Sequence, residues 1–144
     1  MMHKYKCLSV ILTLLVAGCS GDPSMKERLL GTWISDIKLS SASVMDSKIM
    51  THEQKNYLKT TFGTYQYIFT KLSATYAKVN GNPKDNVNFG WKVIKDGDDK
   101  VVIEISGSFS RTEKIDFIRH KNCIGLYNYK YDYVEYFCKK EKSL

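Results

Sequence analysis

Cys7, Cys19, Cys123 and Cys138, together with His52 and His120, are the residues whose types could do chemistry, and their spacing decides whether they do. His52 opens a helix and His120 stands at a turn beside Lys121 and Asn122. Neither has a third ligand or a His-x-x-x-His partner, so no zinc site or catalytic triad is assembled. Ser35-Asp36-Ile37-Lys38 has the Ser-x-x-Lys spacing of a nucleophile with its lysine, which works on a helix where both share a face. Here the surrounding alternation reads as a strand, on which positions three apart point opposite ways. Asp96-Gly97-Asp98-Asp99 has the acidic start of a calcium loop without its later Gly and bidentate Glu, and reads as a turn. No Gly-rich phosphate cradle exists. An enzyme is not expected, nor a cofactor or a metal.

The cysteines sort by position. His3, Lys4 and Lys6 precede an apolar run over residues 8–17. A charged start and about ten apolar residues make a secretory signal, too short for the ~20 residues that span a bilayer. Leu15-Val16-Ala17-Gly18-Cys19 resembles the lipobox of bacterial lipoproteins. The resemblance implies cleavage after Gly18 and acylation of Cys19, with residues 1–18 as signal peptide and 19–28 as lipidated tether. Several acyl chains at one residue, at ~0.8 kcal/mol per buried CH₂, anchor a protein for good. Ser20 after the cysteine implies the outer membrane, on its periplasmic side, in a Gram-negative cell. Cys7 leaves with the signal, so Cys123 and Cys138 remain as an even pair in an oxidising compartment, where a disulfide is the default. If residues 123–138 form a hairpin turning between Lys130 and Tyr131, Cys123 falls opposite Cys138, Ile124 opposite Phe137 and Gly125 opposite Tyr136. Directly opposed Cα atoms lie ~4.5–5.5 Å apart, a span a disulfide bridges.

These residues need elements to hold them. A chain of 144 residues supports one domain with a modest core, expected over residues 29–144. Residues 31–39 alternate as a first strand, and 40–47 are a Ser-rich connection with some helical character near Val44 and Met45. Thr51 and Gln54 have capping-box spacing and Gly63 offers a stop, so one helix is expected near residues 51–62. Tyr57, Leu58, Thr61 and Phe62 share a face that should lie against a sheet or close one end of it. Strands follow at 65–72, 74–80, 87–94, 101–106 and 108–120, then the two cystine-linked strands. The turn at 95–100 is expected from the positive φ that Asp-Gly tolerates. About eight antiparallel strands in sequence order avoid exposed edges by closing, so the expected fold is an all-β, up-and-down barrel.

Leu30-Gly31-Thr32-Trp33 at the head of such a meander resembles the Gly-x-Trp motif of lipocalins and related calycins. The resemblance implies that Trp33 closes one barrel end under a basic residue near the last strand, with Lys139, Lys140 and Arg119 as candidates. Gly31-Thr32-Trp33-Ile34-Ser35-Asp36, Thr51-His52-Glu53-Gln54 to Phe62-Gly63, and Glu135-Tyr136-Phe137 resemble a group of small, uncharacterised bacterial lipocalin-like lipoproteins. Val134 stands where that group commonly has an Arg. The resemblance carries a fold and no activity.

Twenty-two Lys and Arg against 15 Asp and Glu give a formal charge of +7, spread along the chain with no run longer than Lys139-Lys140. A nucleic-acid reader would gather those charges on one face, so that class is excluded. Ten Tyr, six Phe and two Trp leave two readings open. In one, the barrel holds a small apolar or amphipathic molecule, with Tyr67, Phe89, Trp91, Tyr127 and Tyr136 as candidate lining residues. In the other, the rings fill the interior and the domain is a protein-interaction module of the envelope, an assembly factor or an inhibitor. The expected partners are the membrane, through the acyl chains, and a small hydrophobic ligand.

Overall fold

The structure, a computed structural model, describes residues 25–107 and 111–140; the signal segment, Cys19 and the start of the tether lie outside them. Among the described residues the strands are Gly31–Ser35 (β1), Tyr65–Phe69 (β2), Ala74–Lys78 (β3), Val87–Asp96 (β4), Lys100–Ser106 (β5), Thr112–His120 (β6), Cys123–Asn128 (β7) and Tyr133–Lys139 (β8). Each pairs antiparallel with the next and β8 returns to β1, closing an eight-stranded up-and-down barrel of lipocalin-like layout.

The last hairpin has the register expected from its cysteines. Cys123 pairs with Cys138, Ile124 with Phe137 and Gly125 with Tyr136, and the two cysteines are disulfide-bonded. Their Cα atoms are 4.0 Å apart, slightly closer than the ordinary spacing of opposed strand residues. The β4–β5 hairpin also forms, but Gly97 does not take a positive φ there. Its N–H instead donates to the Lys100 carbonyl at 2.9 Å in a longer loop.

Among the described residues three α-helices, and a short 3-10 turn at Pro83–Asp85, accompany the sheet where one helix was expected. Helix α1, Met25–Leu29, occupies part of the expected tether and covers the barrel end at which β1 starts. Strand β1 ends at Ser35, not at Leu39, because the Asp36 carboxylate accepts from the Leu39 N–H at 2.7 Å and starts helix α2, Ile37–Asp46. That helix replaces β1 along the free part of β8. Val134 N–H donates to Ser43 Oγ at 2.7 Å and Tyr136 N–H to Ser40 Oγ at 2.9 Å. Asp36 N–H and Ser47 Oγ donate to the Tyr136 and Tyr131 carbonyls, at 2.7 and 2.6 Å. The serines are therefore a hydroxyl stripe at helical spacing that satisfies a strand edge.

Helix α3, His52–Thr61, has the expected capping box, with Thr51 N–H donating to Gln54 Oε1 at 2.9 Å. Its packing differs from expectation. No residue of α3 is buried and Tyr57 is 68% exposed, because the helix lies on α2 rather than flat on the sheet. Leu58 reaches a small second core of Val44, Met50, Phe62 and Tyr133. Gly63 follows with φ +81°, and a Cβ there would meet Ile37 at 2.8 Å, so the stop signal has a steric reason as well.

Candidate ligand site at the open barrel end

Alternation decides which side chains enter the barrel. Phe117, Ile124 and Phe137 are buried in the main core, so residues 133, 135, 137 and 139 of β8 face in. Cys138, Tyr136 and Val134 face out, as do Cys123, Gly125 and Tyr127 across from them.

The end beneath α1 is filled. Trp33 is 5% exposed, and its Nε1 donates to the Leu29 carbonyl at 2.8 Å. Lys139 supplies the basic cover: its ammonium lies 5.4 Å from the Trp33 ring centre and donates to the Arg28 carbonyl at 3.2 Å. Gly31, with φ +122°, turns the chain from α1 into β1 and leaves room for the Lys139 stem, 3.3 Å from where a Cβ would sit. Trp91 repeats the arrangement, donating to the Thr70 carbonyl at 3.0 Å beneath Lys26 at 5.1 Å. Arg119 serves elsewhere, tying down the β4–β5 loop through Asp96 at 3.0 Å and the Gly97 carbonyl at 3.2 Å. Above these, Tyr67 packs 4.8 Å from Phe137, 5.8 Å from Phe117 and 5.9 Å from Phe69. This half of the interior is a stacked aromatic core.

The opposite end is open. Pairing of β4 with β5 begins at Gly90 and Ser106, so residues 87–89 have β3 on one side and, among the described residues, no paired strand on the other. A cleft of about 660 Å³ lies there, lined by Val87, Asn88, Phe89, Ile105, Arg111 and Glu113. A second hollow of about 300 Å³ lies at the β7–β8 turn, bordered by Leu126, Tyr127, Asn128, Tyr129, Tyr133 and Glu135.

Of the expected lining residues, Phe89 borders the cleft and Tyr67 lies at the boundary between filled and open halves. Trp91 belongs to the sealed end. Tyr127 projects from the outer face of β7 but borders the hollow at the β7–β8 turn with Tyr133 and Glu135, whereas Tyr136 lies on the outer face and is not brought together with the others. Tyr127 hydrogen-bonds Asp132, while Tyr136 covers Gly125 and meets His120 at 5.4 Å.

Glu135 belongs to the Glu135-Tyr136-Phe137 landmark but was not among the candidate site residues; it enters the interior and accepts from Ser35 Oγ at 2.7 Å. Burial pushes its carboxyl pKa up, partly offset by the Ser35 bond. Desolvation, then the Glu135 charge, pushes the Tyr67 phenol up to about 12 and raises those of Tyr76 and Tyr133. Tyr67 and Tyr76 are 5.0 Å apart, and Tyr65 stacks on Tyr76 at 5.3 Å. The signal for Glu135 was its register: with Cys138 outside, Glu135 and Phe137 must share the inner face. Ser35 thus has a partner in Glu135, and Lys38 stands exposed on α2 rather than on the strand. No cluster of three or more metal-binding side chains occurs among the described residues.

Because the folded pKa of Glu135 lies above its unfolded value, its stabilising contribution is full below the ordinary carboxyl range. It is lost as pH rises through the folded value. Glu135→Gln should therefore be more stable than the parent at pH 7, by roughly 1 kcal/mol, with the difference vanishing in acid. Urea unfolding at several pH values measures this.

No protein family, curated protein or solved structure matches the chain.

Proposed function

We propose that the protein is a lipid-anchored envelope lipoprotein whose barrel holds one small apolar or amphipathic molecule at its open end, and that it belongs with the lipocalin-like lipoproteins it resembles. The observation that carries this reading is the cleft of about 660 Å³ beside residues 87–89, continuous in sequence register with a packed core and faced by Val87, Phe89 and Ile105. Its size is that of ordinary small-molecule sites, ~300–1,000 Å³. The anchor fits the geometry. Helix α1 begins at Met25, so residues 20–24 link Cys19 to the sealed end and reach under ~20 Å. The sealed end then faces the membrane and the open end faces water.

Val87 is 57% exposed, so Val87→Trp fills the cleft without entering the core. Nile red, a neutral apolar dye, should bind the parent with one site per chain and the variant at least tenfold more weakly. Equal binding to both would refute the cleft as the site. For the anchor, Cys19→Ser should abolish incorporation of labelled palmitate and release the protein from the membrane fraction. Undiminished labelling would show that the lipid is elsewhere.

One observation favours the interaction-module reading. Met50, Tyr57, Leu58 and Tyr131 border a groove of about 540 Å³ on α3, with Tyr57 68% and nearby Ile49 62% exposed. If that reading holds, Tyr57→Glu removes a stoichiometric protein partner and leaves Nile red unbound in parent and variant alike.

A further inference from the structure

The open half of the barrel contains an acidic group with no cation to meet it. Glu135 points inward from β8, and its hydrogen-bond partner is the Ser35 hydroxyl. No lysine, arginine or histidine among the described residues forms an ion pair with it. Among the described residues no Lys or Arg borders the hollow beside it, and Arg111 borders the separate cleft at Val87 and Phe89. An interior carboxylate without a counter-charge is costly to keep, so either it is protonated or something else supplies the positive charge.

Its surroundings indicate which charge the pocket would take. Tyr67 and Tyr76 stand 5.0 Å apart on the inner face of β2 and β3, and Tyr133 stands two residues before Glu135 on its own strand. Phe137, the next inward residue of β8 after Glu135, lies 4.8 Å from Tyr67, and the Glu135 charge adds to desolvation in raising all three phenol pKa values. Asn128 stands opposite Tyr133 across the hairpin, and the Tyr67 and Tyr76 hydroxyls have no hydrogen-bond partner among the described residues. Aromatic faces carry negative potential, and rings gathered around one carboxylate attract ammonium groups, quaternary ones included. A hollow of about 300 Å³ beside Glu135 and Tyr133 gives such a group room. Tyr76 pairs with Val87 across β3 and β4, so its ring lies between Glu135 and the apolar cleft at Val87 and Phe89.

We propose that the ligand carries an alkylammonium head, seated against Glu135 between Tyr67, Tyr76 and Tyr133, with its apolar tail running past Tyr76 into the cleft. This rests on the reading of the barrel as a small-molecule carrier and names the chemistry of its ligand. The anion is supplied by the protein and the cation by the guest. Ionisation of Glu135 is then favoured by the bound head instead of by a lysine of the chain.

The test is calorimetric titration of the mature chain from residue 19, carrying Cys19→Ser so that no detergent is needed. The probes are octyltrimethylammonium, octanoate, octanol and tetramethylammonium. Octyltrimethylammonium is expected to bind at least tenfold more tightly than octanoate or octanol. Glu135→Gln, which keeps the acceptor for Ser35, should bring it down to the octanol level while circular dichroism shows an intact barrel. Val87→Trp should weaken the octyl compound and leave tetramethylammonium unchanged. Equal binding of all three octyl compounds overturns the ammonium head and leaves the carrier reading standing. A preference for the ammonium that survives in Glu135→Gln places the cation elsewhere and overturns the proposal. If tetramethylammonium binds as tightly as the octyl form and is lost in Glu135→Gln, the cage stands and the apolar tail is refuted. If no probe binds, the carrier reading and the proposal fall together.

Discussion

Trp33→Ala should destabilise the barrel by about 3–5 kcal/mol, the largest single-residue loss expected in this chain. The indole is 5% exposed and is held at three points: its ring in the core, its Nε1 on the Leu29 carbonyl at 2.8 Å, and its face under the Lys139 ammonium at 5.4 Å. Truncation leaves a cavity under α1 and frees that helix from the sheet. A domain of this size is stable by ~5–15 kcal/mol, so urea unfolding can still measure the variant. The smaller changes separate the terms. Trp33→Phe keeps most of the burial and loses the Leu29 bond, about 1 kcal/mol. Lys139→Met keeps the stem against Gly31 and loses the cation over the ring, ~0.5–2 kcal/mol. A Trp33→Ala variant within ~0.5 kcal/mol of the parent would mean that the sealed end does not support the barrel.

Reducing the Cys123–Cys138 disulfide should cost about 2–5 kcal/mol. The bond joins β7 to β8 on the outer face, and Cys138 also pairs with Ile34 where β8 meets β1. Reduction therefore loosens the closing seam more than it loosens a loop. The loss should be uneven along β8. Residues 137–139 depend on β1, whereas the Val134 and Tyr136 N–H groups are held by Ser43 and Ser40 of α2. Hydrogen exchange on oxidised and reduced protein should show faster exchange at 137–139 and little change at 134 and 136. Equal protection throughout β8 in both forms would show that the disulfide does not brace the seam.

The parts of the fold legible in the sequence were those in which two constraints agreed. The cysteine spacing and the turn residues between them set one register, and every pair of the β7–β8 hairpin follows it. Thr51, Gln54 and Gly63 marked both ends of α3. Helix α2 was hidden because Trp33, Ser35, Ile37 and Leu39 continue the alternation past Asp36, whose capping bond ends the strand. The serines at 40, 43 and 47 read as a loop because their role is to serve the edge of a strand far away in sequence, which no local pattern reports.

The site was less legible, and the reason is phase. Choosing aromatic residues by type put Tyr136 among the lining candidates, although the register that pairs the cysteines places it on their outer face; Tyr127 shares that face yet borders the hollow at the turn. The same register turns Glu135 inward. A lone Glu on a strand ordinarily faces solvent, so residue type argued against the position that geometry selects. Trp91 was a lining candidate by type, but its place at the sealed end depends on α1, a helix inside the expected tether.

Whether the open end is occupied in protein purified from its native cells is the most direct question. Native mass spectrometry of the chain, released by mild detergent and compared with Val87→Trp purified in parallel, measures this in one step. The account predicts one small molecule per parent chain, carrying an ammonium group and an apolar chain, and none in the variant. A parent chain that carries no such guest, or a Val87→Trp chain that carries the same one, would contradict it.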